Sequence, residues 1–271
     1  MANNNPNAPA AGQRKRCPAW ASRLFNSSEY LLFDVGGGPR VLRLDHAINI
    51  QKAVTLFFIY GLMLYYDNFS TAAWVYLGLH GVYGFTWLIK DLAFPNSAFE
   101  RRVTIVGLGV LYGGLNLLYW SLPWLFISRH VEPSGPMLFA AIFMHTLGVA
   151  LMAAADVQKN CTLSFRKGLI TNGVFAYTRN PNYLGEILIY STYAMLAAHW
   201  FGWLVIVLQV FALFLPRMLV KDSSISRHPG WPEYERRSGL LIPWALLNGR
   251  AWFKRPSANS PHPLPSHTNE T

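Results

Sequence analysis

The sequence predicts an all-α, polytopic integral membrane protein with about six transmembrane helices and both termini cytoplasmic. Three observations predict it. Of 271 residues, 52% are hydrophobic and 13% are charged, against roughly a quarter charged in an ordinary soluble domain. Apolar runs occur at 48–66, 71–89, 103–127, 136–155, 184–198 and 202–220. A helix needs roughly 20 residues to cross the hydrocarbon core, so the first and fifth runs are marginal. With the N-terminus inside, 22 of the 23 Lys and Arg residues, Lys52 among them, fall on one side and Arg129 alone on the other. Cytoplasmic segments hold such an excess.

In chain order, residues 1–47 read as a polar tail followed by an interfacial segment. No apolar core of a secretory leader occurs in the first 23 residues, so a cleavable signal is not expected. Asp34-Val-Gly-Gly-Gly-Pro39 is similar to the glycine loop of soluble methyltransferases. That loop works only between a strand and a helix of a sheet, which the remainder of this chain cannot build, so a turn is expected.

Residues 48–155 read as four membrane helices on the lipid-substrate side. His80, Tyr83 and Trp87 fall at i, i+3 and i+7 and share one helix face. Such a stripe packs helices together, or makes Tyr83 a proton donor inside the bilayer. His145 reads as structural. Lys90-Asp91, at the end of its run, reads as an interfacial anchor, because long cationic side chains reach the headgroups at little cost.

Residues 156–247 hold the long cytoplasmic connections, where a site can be built, and residues 248–271 read as a disordered tail. Asp156, Lys159, Arg166, Lys167, Arg179, Lys221, Arg227, Arg236 and Arg237 can converge on one cytoplasmic mouth. Arginine forks bind phosphate in pairs of hydrogen bonds, so a nucleotide is a natural guest. The most specific stretch is Gly173-Val-Phe-Ala-Tyr-Thr-Arg-Asn-Pro-Asn-Tyr-Leu-Gly-Glu186. Pro181 interrupts the backbone ladder where Asn180 and Asn182 present amides beside Tyr183, and Gly185 permits close approach. Glu186 then enters an apolar helix, where a carboxylate is expensive without a ligand or partner. Trp231 and Tyr234 read as interfacial aromatics or as a cap over the cofactor.

The net charge of +10 is spread between apolar segments without a base-reading motif, so nucleic acid is not an expected partner. Two cysteines with no paired spacing, Cys17 and Cys161, exclude a disulfide framework or a Cys-based metal site. The expected partners are the bilayer and a hydrophobic lipid. The expected membrane is the endoplasmic reticulum or another endomembrane in a eukaryote and the inner membrane in a bacterium; oligomeric state has no sequence signature here.

Asp156-Val-Gln-Lys159, the Gly173–Glu186 stretch, Pro229-Gly-Trp-Pro-Glu-Tyr234 and Leu241-Ile-Pro243 together resemble the C-terminal domain of the steroid 5α-reductase family, in its microbial branch. The wider superfamily also holds sterol reductases and isoprenylcysteine and phospholipid methyltransferases. The resemblance implies NADPH bound from the cytoplasmic side and an apolar enone lipid admitted from the bilayer. It implies that Asn182 and Glu186 contact the cofactor, with Glu186 beside the nicotinamide. Asp156 and Arg179 match positions near adenosine and phosphates, and Tyr234 matches the terminal aromatic.

The methyltransferases typically carry a Glu-Glu pair after the next span, where this chain reads Arg217-Met-Leu-Val-Lys-Asp-Ser-Ser224. The expected activity is therefore NADPH-dependent reduction of a C=C bond conjugated to a carbonyl, with Tyr83 and Glu186 as the catalytic groups. S-adenosylmethionine-dependent methyl transfer is the alternative. A scaffold of the same fold is the second.

Overall fold

The computed structural model describes residues 15–247 and 249. The residues expected to form the N- and C-terminal tails lie largely outside that range. Helix α1 (Ala19–Phe33) comes first, inside the 1–47 segment expected to be a polar tail followed by an interfacial stretch. The chain then turns at Asp34–Pro39, with Gly36, Gly37 and Gly38 all at positive φ. Strand β1 (Arg40–Arg43) leads into α2 (Leu44–Tyr65), and α3 (Thr71–Ala93) returns. Strand β2 (Arg102–Thr104) pairs antiparallel with β1, Leu42 opposite Val103. This ribbon corrects the expectation that no strand pairing forms here: the two arms entering α2 and the next helix run side by side and satisfy each other's backbone groups.

Helix α4 (Ile105–Val110) runs through a π-helical turn at Leu111–Asn116 into α5 (Leu117–Ser128), one continuous span. Helix α6 (Gly135–Phe165) is the longest and pairs with α7 (Pro181–Ala197). Helix α8 (Trp200–Gln209) passes a second π turn, Val210–Phe214, into α9 (Leu215–Ile225). Two short helices follow, α10 (Trp231–Arg237) and α11 (Trp244–Leu247).

The protein is thus an all-α membrane protein. Long helices occupy all six expected places, and four (Leu44–Tyr65, Ile105–Ser128, Gly135–Phe165 and Trp200–Ile225) are long and apolar enough to cross a bilayer by length and composition. The other two, α3 and α7, carry the polar residues and bury them. Tyr76, His80, Tyr83 and Trp87 of α3 and Tyr190 and Tyr193 of α7 are all in the core.

The connections expected outside meet at one end of the bundle. Asn68 donates to the carbonyl of Ile127 at 2.9 Å, and Arg129 donates to the carbonyls of Ala197 and Ala198. The opposite end collects the ion pairs Lys90–Asp156, Arg179–Asp222 and Lys15–Glu235. Charge is thus placed where water or a partner reaches it, because it is costly elsewhere.

Candidate functional site

Side chains of α2, α3, α5 and α7 meet around Lys52. The sequence places this residue among the cytoplasmic charges. The structure corrects that: Lys52 is eight residues inside α2, about 12 Å along the helix from Leu44, and is 9% exposed. No carboxylate within 4.0 Å pairs with it among the described residues, whereas its ammonium lies 4.2 Å from the centre of the Tyr83 ring, 5.2 Å from Tyr119, 5.5 Å from Trp87 and 5.9 Å from Tyr190. The negative faces of these rings stabilise a cation that the hydrocarbon would otherwise expel.

The Tyr83 and Tyr190 hydroxyls are 2.7 Å apart, their rings meeting edge to face. One of the two therefore has a proton to offer to a third group while the other is accepted within the pair. Deeper in the bundle, His80 lies 3.6 Å from the Tyr193 ring in a stacked arrangement, and His145 Nε2 and the Tyr193 hydroxyl are 3.1 Å apart. The expected helix face of His80, Tyr83 and Trp87 is thus real, and His145 has the structural setting expected of it. Trp87 donates to Asn49 at 3.2 Å, and Asn49 donates to Asp91 at 2.7 Å.

Glu186 follows Gly185 on α7. Glu186 itself is half-buried. Lys52, Asp156, Lys90 and Arg217 all act on its charge. Its carboxylate forms no hydrogen bond among the described residues, and neither does the side chain of Asn182 one turn earlier. Tyr183 packs on Phe214, in the second π turn, with ring centres 4.8 Å apart. Such turns recur at functional sites because the widened backbone re-aims side chains.

Asp156 accepts from Lys90 at 2.9 Å, with Lys159 a looser partner at 3.9 Å. Lys90 is 9% exposed and points inward. This corrects its reading as an interfacial anchor: a nearby aspartate and the Trp87 face, 3.8 Å away, hold the ammonium in the protein.

The remaining expected cofactor residues build the floor. Arg179 donates to Asp222 at 2.8 Å and to the Ser238 carbonyl, and Lys221 donates to the Arg179 carbonyl at 2.6 Å. Asn180 is the residue before α7, yet its side chain reaches Leu240 instead of capping the helix. Pro181 at the first helical position needs no donor there. Thr178 donates to Leu241, and the backbones of Tyr177 and Arg179 bond Gly239. The two motifs are thus stitched together at 177–180 and 238–241.

Tyr234 is 2% exposed and donates to the Phe175 carbonyl at 2.8 Å. Burial raises its pKa, against the opposing pull of Arg179 nearby, so it stays a hydroxyl. Trp231 is buried too. Neither is an interfacial aromatic, because α10 folds back onto the 173–180 segment. Between the 166–172 loop and α10 lies an open cleft of about 550 Å3 lined by Arg166, Lys167, Thr171, His228, Glu233 and Arg237.

Of the expected site residues, Tyr83 lies against the Lys52 ammonium, Glu186 is close enough to Lys52, Tyr83, Tyr183 and Asp156 for their charges to interact, and Lys159 stands beside Asp156. Arg179, Asn180, Lys221 and Tyr234 lie in the clamp below, engaged with protein groups. Lys52, Tyr119 and Tyr190 were missed. A lysine inside an apolar run was the available signal for the first, and an aromatic repeat on α7 at Tyr190 and Tyr193 for the last.

The profile of a family described as a protein of unknown function (DUF1295), which is associated with steroid 5α-reductase-like proteins, matches residues 108–232. The matched segment takes in Tyr119, Asp156, Glu186 and Tyr190 and begins after Lys52 and Tyr83. No curated protein matches the chain.

Proposed function

We propose that the protein is an NADPH-dependent reductase of a C=C bond conjugated to a carbonyl in a sterol-like or other isoprenoid lipid. One observation carries the reading: a hydroxyl pair, Tyr83 and Tyr190, held 2.7 Å apart beneath a buried ammonium. Reduction of an enone puts negative charge on its oxygen, and a buried acid within hydrogen-bond reach must meet it. Tyr83 gives its proton to that oxygen while Tyr190 hydrogen-bonds the Tyr83 oxygen left behind, and the enol becomes the saturated ketone when its α-carbon takes a proton from solvent and its hydroxyl returns one to Tyr83. Lys52, over the Tyr83 ring, stabilises the phenolate that forms.

NADPH, when bound, supplies the hydride to the β-carbon. The residues present fit it. Asn182 and Glu186 keep polar groups uncommitted for a carboxamide, and the cationic cleft at Arg166, Lys167 and Arg237 suits phosphates. Arg179 is spent on Asp222.

The test is purified protein in detergent with NADPH, NADH or S-adenosylmethionine. A ligand that binds only the folded state raises the melting temperature by mass action. Stabilisation by NADPH, followed by NADPH oxidation on an enone lipid that Tyr83→Phe abolishes, is the expected result. Stabilisation by S-adenosylmethionine alone would replace the reductase with a methyltransferase, and no response to any of the three would favour a scaffold.

A further inference from the structure

Helix α6 is longer than a hydrocarbon crossing requires. Its 31 residues, Gly135–Phe165, rise about 46 Å, against roughly 40–45 Å for a bilayer with both headgroup layers. Its cytoplasmic end therefore stands at the headgroup surface. There Phe165 is 93% exposed and Leu163 is exposed beside it, and Arg166 opens the loop that forms one wall of the cleft of about 550 Å3. A bare aromatic beside cations is the pairing that settles at a membrane interface.

Arg166 and Lys167 are exposed on that loop and form no ion pair among the described residues. On the other wall Arg237 of α10 donates from Nη2 to the Thr171 carbonyl at 2.9 Å, so it ties the two walls together, and its Nε is buried without a partner among the described residues. Glu233, 76% exposed, is the one carboxylate of the lining and stands 3.8 Å from Arg237. Three cations against one carboxylate leave an excess of two positive charges. A phosphate monoester, at about −1.5 to −2 near neutral pH, matches that excess. A phosphodiester carries a single charge and leaves half of it unmatched.

We infer that the cleft is a regulatory site for an anionic lipid of the cytoplasmic leaflet whose headgroup is a phosphate monoester, held by Arg166, Lys167 and Arg237 while its chains pass Phe165. The cytoplasmic leaflet carries the anionic lipids that attract such cations. The height of the cleft selects a lipid over a soluble phosphate, because a headgroup confined to that surface meets it at high effective concentration. Lipid and cofactor phosphates contend for the same three cations, so the lipid opposes cofactor binding. That consequence alone rests on the reductase reading; the capture of the lipid does not.

The test is native mass spectrometry of the full chain in detergent micelles, titrated with phosphatidate, with phosphatidylglycerol of the same chains, and with glycerol 3-phosphate. Phosphatidate should bind at least about tenfold more tightly than phosphatidylglycerol, and Arg166→Gln or Lys167→Gln should each cost about tenfold, the worth of one charge-assisted hydrogen bond. Both positions are exposed, so the melting temperature without lipid should not move. Equal affinity for the two lipids, or variants that bind phosphatidate as the wild type does, would overturn the inference. Glycerol 3-phosphate that displaces phosphatidate at matching concentration would replace the lipid with a soluble phosphate. NADPH should displace phosphatidate as well. NADPH bound beside retained lipid would overturn the competition, whereas NADPH that does not bind at all fails the reductase reading and leaves the lipid site standing.

Discussion

Gly148 of α6 and Gly185 of α7 face each other so closely that a methyl on Gly148 would stand 2.6 Å from the Gly185 carbonyl oxygen, and one on Gly185 2.5 Å from the Gly148 oxygen. Small residues let membrane helices approach backbone to backbone, where dispersion replaces the missing hydrophobic drive. The contact also sets the depth and rotation of the next residue, Glu186. Gly185→Ala forces the pair apart, and overpacking of this kind costs about 1–3 kcal/mol. A clear drop in melting temperature in detergent is expected, with Gly148→Ala behaving alike. An unchanged melting temperature for both would show that the helices do not meet there.

The Arg179–Asp222 pair is 7% and 1% exposed. Breaking a buried pair leaves one charge stranded, at about 3–5 kcal/mol. Asp222→Ala should therefore destabilise the fold strongly. The double variant Arg179→Met, Asp222→Leu should be more stable than Asp222→Ala, since no charge remains unpaired. A melting series of the three variants decides it. If Arg179 instead binds phosphate directly, Asp222→Ala would leave stability intact and weaken only NADPH binding.

Tyr190 is the partner that the proposed acid leans on. Tyr190→Phe removes one hydroxyl but leaves Tyr83 its own proton. Turnover on an enone lipid should fall by about tenfold to a hundredfold, the range for one hydrogen bond in a buried site. Tyr83→Phe should leave none. Steady-state rates of NADPH oxidation separate the two, and equal losses would make the hydroxyls interchangeable and Tyr83 no longer the sole donor.

Hydropathy and charge placed six helices correctly because burial in a bilayer leaves a one-dimensional trace in composition. Helix α1 left none: Asn26, Ser27, Ser28 and Glu29 interrupt its apolar run, and its docking against α4 and α9 is tertiary. Glu186 and Tyr83 were legible as polar groups where such groups are costly. Lys52 was not, because a lysine eight residues into a helix obeys the positive-inside pattern as well as it packs against interior rings. Arg179 and Lys221 drew attention as cations, and only the fold shows Asp222 and a backbone carbonyl using them. Gly173 carries its reason in the structure: it sits at φ +56, which side chains rarely adopt, and a methyl there would stand 2.4 Å from the amide oxygen of Gln158. That pairing explains why the two motif segments belong together, a relation invisible along the chain.

The described chain begins on the far C-terminal element. Lys15 donates to Glu235 of α10 at 2.5 Å, and its backbone bonds Ser223 and Ser226. Burial is the largest single influence and raises the Glu235 pKa, but the Lys15 hydrogen bond and charge, the Arg179 charge and a hydrogen bond from Trp231 together lower it by more, so the net position is below the ordinary 4.5. A carboxylate whose folded pKa is depressed contributes stability that is complete above its unfolded value and lost as pH falls through the folded one. Lys15 and Glu235 are 42% and 36% exposed, so solvent screening limits the pair to under about 1 kcal/mol. Wild-type protein should therefore melt slightly above Lys15→Ala at neutral pH and low salt. The gap should close as pH drops to about 3, below the usual glutamate range, and shrink in high salt. A gap that persists at low pH would assign the role of Lys15 to its backbone contacts with α9 instead of to its charge.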